Sequence, residues 1–264
     1  MTSLTPTPSV ESRPTGATRP PNRTWLWVLL GLVVFGGATA LAVWLLPSST
    51  GSQIETFDGT VDELVIHVTG GVDLVAGDET RLTITKEWLL AGEPTVAVSH
   101  DSGVARVEGD CSWYQINCTT RVSGTVASDA AIEVRTSAGS IDLNGTRSGV
   151  DLETSAGSVN VVGVAGQARL VTSAGNITGT LSDGDVDAMT SAGFIELTVQ
   201  GEFDSVSATT SAGNVDLTVP DDVYDVDADT SAGSVNISVS TDPSAGRRIF
   251  AESSAGSITI GTGP

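Results

Sequence analysis

The chain has 264 residues and a formal net charge of −20, from 32 Asp and Glu against 12 Lys and Arg. A charge of that size makes nucleic acid and anionic lipid headgroups poor partners. Aromatic residues make up only 5% while Gly alone numbers 30, which suits a narrow interior filled by aliphatic side chains better than a wide mixed core.

Residues 1–24 are rich in Pro and Thr, lack an apolar period and read as a disordered cytoplasmic tail whose basic residues are Arg13, Arg19 and Arg23. Residues 25–46 follow without a single charge. As a helix they measure about 33 Å, enough to cross a bilayer core of ~30 Å. Trp25, Trp27 and Trp44 lie near the two ends, where indoles favour the interface, and Arg on the N-terminal side predicts a single-pass transmembrane helix with its N-terminus inside. The alternative is a cleaved signal peptide ending near Ala38-Thr39-Ala40. Residues 47–53 read as a linker that reaches at most ~25 Å.

Over residues 54–135 alternating apolar pairs mark strands: Leu64/Ile66/Val68, Val72/Leu74, Leu82/Ile84, Val96/Val98, Val104/Val107 and Ile132/Val134. Turns fall at Gly70-Gly71, Gly77-Asp78, 92–94 and 101–103. These residues are expected to form irregular N-terminal rungs that begin and cap the repeats, or else a small separate β domain. Cys111 and Cys118, seven apart in an exported domain, read as a disulfide-closed loop worth ~2 kcal/mol. Trp113 and Tyr114 inside it are either packing under the loop or an exposed recognition tip. His67 is expected to face outward from a strand and His100 to precede a turn. Two Cys without a nearby His do not make a four-ligand zinc site.

From residue 136 to 264 one motif recurs. Thr136-Ser137-Ala138-Gly139 returns with glycines at Gly157, Gly175, Gly193, Gly213, Gly233 and, in a worn copy, Gly256, at steps of 18, 18, 18, 20, 20 and 23 residues. A fixed step in this range marks a repeat architecture. After each motif comes an alternating pair such as Ile141/Leu143 or Val159/Val161, and before it another such as Val150/Leu152 or Val206/Ala208, so each repeat is strand, loop, strand, corner.

The inward parity is even before the corner and odd after it, and a period-two strand cannot make that shift alone. The corner glycines are therefore expected at φ > 0, with Ala on the inside of the bend and Ser or Thr hydroxyls satisfying freed backbone groups. A nucleophilic Ser is disfavoured, because so many equivalent copies lack a repeated His or acid partner.

Two architectures fit two short strands per repeat, a parallel β-solenoid and an antiparallel sandwich. Near-identical corners favour the solenoid, since they make sense when corner stacks on corner. So do variable loop lengths between unchanged corners. The residues at 151, 169, 187, 207, 227 and 250 would also stack with Asp151, Arg169 and Asp187 alternating in charge.

The run Thr-Ser-Ala-Gly-Ser-Val/Ile-x-Leu/Val at 136–143, 154–161 and 230–237 resembles the bacterial putative-adhesin domain family with β-strand repeats. With the anchor, the chain is similar to its membrane-bound Gram-positive and actinobacterial members. The resemblance covers roughly residues 54–264. It implies an envelope location and transfers no catalytic residue and no cofactor or metal site. The expected function is a membrane-anchored, extracytoplasmic, non-enzymatic β-repeat protein that contacts an envelope protein or polysaccharide, with no nucleic-acid partner. An envelope-stress sensor is the alternative, and a polysaccharide-acting enzyme the remote one.

Overall fold

Each apolar pair read from the sequence becomes a strand, and equivalent strands lie side by side in two 11-stranded sheets. The computed structural model describes residues 49–57, 60–89, 92–112 and 118–263. The tail and the membrane span expected at 1–46 lie outside them, and among the described residues no helix is long and apolar enough to cross a membrane.

In chain order the strands are β1 (Ser49–Thr56), β2 (Glu63–Val68), β3 (Val72–Gly77), β4 (Arg81–Trp88), β5 (Thr95–Asp101), β6 (Val104–Asp110) and β7 (Thr119–Ala127). The regular repeats then give β8 (Ala131–Ala138), β9 (Ile141–Asn144), β10 (Val150–Ala156), β11 (Val159–Ala165), β12 (Ala168–Ala174), β13 (Ile177–Asp183), β14 (Val186–Ala192) and β15 (Ile195–Val199). Last come β16 (Ser205–Ala212), β17 (Val215–Val219), β18 (Val223–Thr230), β19 (Val235–Ile237), β20 (Ser240–Thr241), β21 (Arg248–Ala255) and β22 (Ile258–Thr262).

The strand before each corner belongs to sheet I and the strand after it to sheet II, and one such pair is a rung. Rungs from β8–β9 to β16–β17 stack in sequence order, parallel and in register: Leu152 lies against Val134 and Leu170, and Val159 against Ile141 and Ile177. The sandwich of antiparallel hairpins is thereby excluded for this region. Inward columns such as Leu143, Val161, Leu197, Leu217 and Ile260 are buried to 2% exposure or less, and both sheets share this one core.

Sequential stacking fails at both ends. The rung β2–β3 sits between β6–β7 and β8–β9, and the C-terminal rung β21–β22 sits between β16–β17 and β18–β19. The column expected to run Asp151, Arg169, Asp187, Ser207, Asp227, Phe250 therefore ends Ser207, Phe250, Asp227. Because β2 and β3 pair with β8 and β9, residues 63–127 and the regular repeats build the same sheets. The linker expected at 47–53 is shorter than expected, since β1 already starts at Ser49 and pairs antiparallel with β4. β1 is mostly exposed and is held by its backbone, so no apolar alternation announces it. Alternation does not announce β7 either, because Gly124 interrupts it between Val122 and Val126.

The corner works differently from its expectation. φ is positive at Gly139, Gly193, Gly213 and Gly256, near 151–157°, and not at Gly157, Gly175 or Gly233. What all seven share is a close approach of backbones. A Cβ on Gly157, Gly175, Gly193, Gly213, Gly233 or Gly256 would lie 1.9–2.2 Å from the carbonyl oxygen of the adjacent corner glycine, and on Gly139 it would lie 2.4 Å from the Gly71 nitrogen. Ala is not inside the bend: Ala138, Ala156, Ala174, Ala192 and Ala212 are exposed, and the carbonyls of the last four accept from the corner N–H of a neighbouring rung, as Gly157 N–H donates to Ala174 O at 3.1 Å.

The buried member of the motif is its Thr. Thr154, Thr172 and Thr190 are 1–5% exposed, and each hydroxyl donates to the glycine carbonyl one rung back, at 3.0, 2.8 and 2.9 Å. Ser253 keeps the bond in the worn copy, to Gly213 O at 2.9 Å.

Candidate functional site

A stack of in-register rungs presents its outward residues as columns with about 4.8 Å per step, so each of the two outer faces carries a regular array of side chains. Sheet I shows an ion-paired face. Arg135 lies 3.1 Å from Glu133, 3.5 Å from Glu153 and 3.7 Å from Asp151; Arg169 closes on Asp151 at 3.1 Å and His67 on Glu133 at 3.4 Å. These side chains are about a third to a half exposed, so each pair contributes a few tenths of a kcal/mol and weakens with salt. His67 does face outward. His100 lies on β5 and meets Phe57 edge to face at 5.7 Å.

A shallow groove of about 580 Å³ lies beside this network, lined by His67, Thr69, Glu108, Asp110, Arg135 and Glu153. It ends at the base of the cysteine loop, where Thr69 Oγ1 is 3.4 Å from Cys111 Sγ. Cys111 and Cys118 are joined, with their Cα atoms 5.8 Å apart. Trp113 and Tyr114 lie outside the described residues. Among the described residues no three His, Cys, Asp or Glu side chains converge as a metal would need.

Sheet II shows a different face. One column runs Asp73, Asp142, Asn160, Thr178, Glu196, Asp216 and the next Val75, Asn144, Val162, Thr180, Thr198, Thr218. Asn160 donates to Asp142 and Thr178 to Asn160, both at 3.3 Å. Along the corner, Ser140, Ser158 and Asn176 each offer a side-chain oxygen to the N–H of the next rung at 3.1–3.3 Å. Phe194 interrupts that column with an exposed ring, and Val75 and Val162 stand out at 45% and 44% exposure. The face thus sets bare apolar groups among Asn, Thr and acidic side chains, while the ion pairs of sheet I gather around Arg135 and Arg169.

Near the last rungs an aromatic cluster forms that spacing alone did not reveal. Phe203 stacks on Tyr224 at 5.6 Å, and Arg247 lies over the Phe203 ring at 5.9 Å while pairing with Asp222 and Glu202. Tyr224 is fully buried and its hydroxyl donates to Pro220 O at 2.8 Å. Burial, and then the charges of Asp222 and Asp221, hold its phenol above the usual tyrosine range. Two hydrogen bonds from Ser244, side chain and backbone, hold the exposed Asp242 carboxyl below its usual range. Both groups were legible as residues, but only the return of β21 between earlier rungs brings Arg247 to Glu202 and Asp222.

The family described as Toastrack DUF4097 matches residues 56–260. Among solved structures, a putative adhesin from Bacteroides fragilis is 13% identical and covers 81% of this chain and 97% of its own, with a TM-score of 0.49. A putative cell adhesion protein from Clostridium sporogenes is 12% identical, covering 81% and 100%, with a TM-score of 0.39. A putative adhesin from Parabacteroides merdae is 11% identical, covering 82% and 97%, also at 0.39. None of the curated proteins matches this chain.

Proposed function

From the premise that the chain belongs to the Toastrack DUF4097 family, we propose that it is a membrane-anchored, extracytoplasmic β-repeat protein that makes adhesive or structural contacts in the cell envelope and is not an enzyme. Residues 25–46 are its single-pass anchor, the N-terminal tail is cytoplasmic, and the β domain faces outward. The observation that carries the contact role is the outer face of sheet II. Its exposed Val75, Val162 and Phe194 stand among Asn and Thr side chains in register, a mixture of apolar anchors and hydrogen-bonding groups that suits a protein or polysaccharide surface.

Two measurements test the reading. A C-terminal tag on intact cells is expected to be open to an impermeant reagent, and a tag protected until permeabilisation refutes the topology. The full chain in nanodiscs is expected to bind isolated envelope material. Val162→Asp with Phe194→Asp, both on exposed positions, weakens that binding at least tenfold; unchanged binding by the folded variant removes sheet II from the function.

A further inference from the structure

The two ends of the stack are finished differently. At one end β4 and β1 close sheet II and β5 closes sheet I, all running antiparallel to the strands they cover. At the other end the outermost rung is β18–β19, and beyond it only Val223 and Tyr224 meet another strand, β20. The outer edge of residues 225–230 and 235–237 faces no strand among the described residues.

The side chains register the open end. Val235 and Ile237 are 40% and 39% exposed, whereas Ile258 and Ile260, the same positions one rung inward, are fully buried. The corner registers it too. Thr230 donates to Gly256 O and Ser253 to Gly213 O, continuing the series, but the carbonyl of Gly233 receives no hydroxyl among the described residues. A sheet edge of this kind, with backbone groups and an apolar strip open together, is what strand addition uses.

Charge selects the occupant. Val226 and Ala228 point inward on β18, and Asp225, Asp227 and Asp229 point outward. Arg248 pairs with Asp225 at 3.1 Å, while Asp227 and Asp229 have no ion pair among the described residues and Glu252 lies in register beside Asp229. A second copy docking edge to edge would set these acids against their own equivalents, which is unfavourable. A copy docking head to tail would meet the end already closed by β1, β4 and β5.

We propose that the open β18–β19 edge is a strand-addition site for an extended segment of a partner protein in which Lys or Arg alternates with small aliphatic residues. The aliphatic side chains lie on Val226 and Ala228, and the cations lie opposite Asp227 and Asp229. The inference rests on the reading of this chain as a contact protein and adds the end of the stack to the face of sheet II.

The probe is the peptide acetyl-Val-Lys-Val-Arg-Val-Thr-amide, labelled with a fluorophore, against its counterpart carrying Glu in place of Lys and Arg. With the full chain, the basic peptide is expected to bind more tightly than the acidic one, to weaken with added salt, and to protect amides 225–230 from hydrogen exchange. Asp227→Lys with Asp229→Lys, on exposed side chains, is expected to reduce that affinity at least tenfold and to admit the acidic peptide. Absence of binding, equal binding of both peptides, indifference to the charge reversal, or protection elsewhere overturns the proposal. So does protection of 225–230 that rises with the concentration of the chain alone, which identifies a second copy as occupant. If these arms fail while envelope material still binds through Val162 and Phe194, only this inference falls.

Discussion

Replacing Gly175 by Ala is the most direct probe of the corner. A Cβ there would lie 2.0 Å from the oxygen and 2.5 Å from the carbon of the Gly157 carbonyl, both backbone atoms of an adjacent rung that no rotamer change can move. Relief requires the rungs to part by about an ångström, and overpacking against a fixed neighbour costs roughly 1–3 kcal/mol or more. The same separation strains the hydrogen bonds from Gly157 N–H to Ala174 O and from the Thr172 hydroxyl to Gly157 O, at 3.1 and 2.8 Å, each worth about 1 kcal/mol. The expected loss is therefore roughly 3–5 kcal/mol, well above the ~1 kcal/mol that a purely conformational penalty at φ > 0 would give. Gly246→Ala is the control, since nothing lies within 4 Å of its added Cβ and its φ is not in the left-handed region; it should change stability by less than ~0.5 kcal/mol. Urea unfolding of the full chain in detergent, followed by the far-ultraviolet strand signal, gives the magnitudes, and hydrogen exchange shows where the damage falls. The stacked rungs predict loss of protection at 154–161 and 190–197. A cost for Gly175→Ala no larger than that of Gly246→Ala, or damage confined to residues next to 175 in sequence, would refute the close-approach account.

Thr172→Val should cost about 1–3 kcal/mol in the same unfolding assay, because it leaves Gly157 O without its hydroxyl donor. Thr172→Ser, which copies the arrangement at Ser253, should cost about 1 kcal/mol or less. Arg135→Gln should lose less than ~1 kcal/mol at low salt, and the difference should vanish at high salt, since all its partners are solvent-accessible. The Tyr224 phenol is raised above its unfolded value of 10.0, so the folded state holds that proton longer. Stability is fully present below about pH 10 and falls as pH climbs from there through the folded pKa; thermal melts of Tyr224→Phe should lack that decline. Hydrogen exchange should be faster in β18–β19 than in β21–β22, although β21–β22 lies nearer the C-terminus, because β21–β22 is paired on both sides.

The period was legible because each rung repeats the same local decision: alternating aliphatics, a buried Thr, a small exposed pair and a glycine. Val150/Leu152 and Val159/Val161 fall where alternation put them, and so does the shift of inward parity between Thr154 and Val159. Positive φ accounts for only four of the seven corner glycines, and one strand considered alone offers only torsion angles as a reason. The neighbouring carbonyl that excludes a Cβ belongs to another rung, some eighteen residues away. The same limit hid the surface. Asp151 and Arg169 could be matched because their rungs are consecutive, but Arg247 with Glu202, and Arg248 with Asp225, depend on β21 being threaded inward of β18. Alternation has the same period in any order of rungs, so it carries no information about which rung is the neighbour.

That threading has a physical consequence at each end. In a strictly sequential stack the outermost rungs would also be the chain-terminal ones, each held from one side and free to fray. Here the first full rung, β2–β3, and the last, β21–β22, are each flanked on both sides, and the rungs left outermost are tied into the chain at both of their ends. Ordering β21–β22 between β17 and β19 requires contacts well separated in sequence, such as Ser205 with Arg248, and so raises the entropy cost of closing the stack. The buried Ile249, Ala251, Ile258 and Ile260 offset that cost by joining the core completely, which Val226, Ala228, Val235 and Ile237 do not. The molecule thereby keeps β21–β22 in its stable interior and leaves a rung with incomplete burial and uncompensated acids at the surface, which is where a partner strand would find an edge to extend.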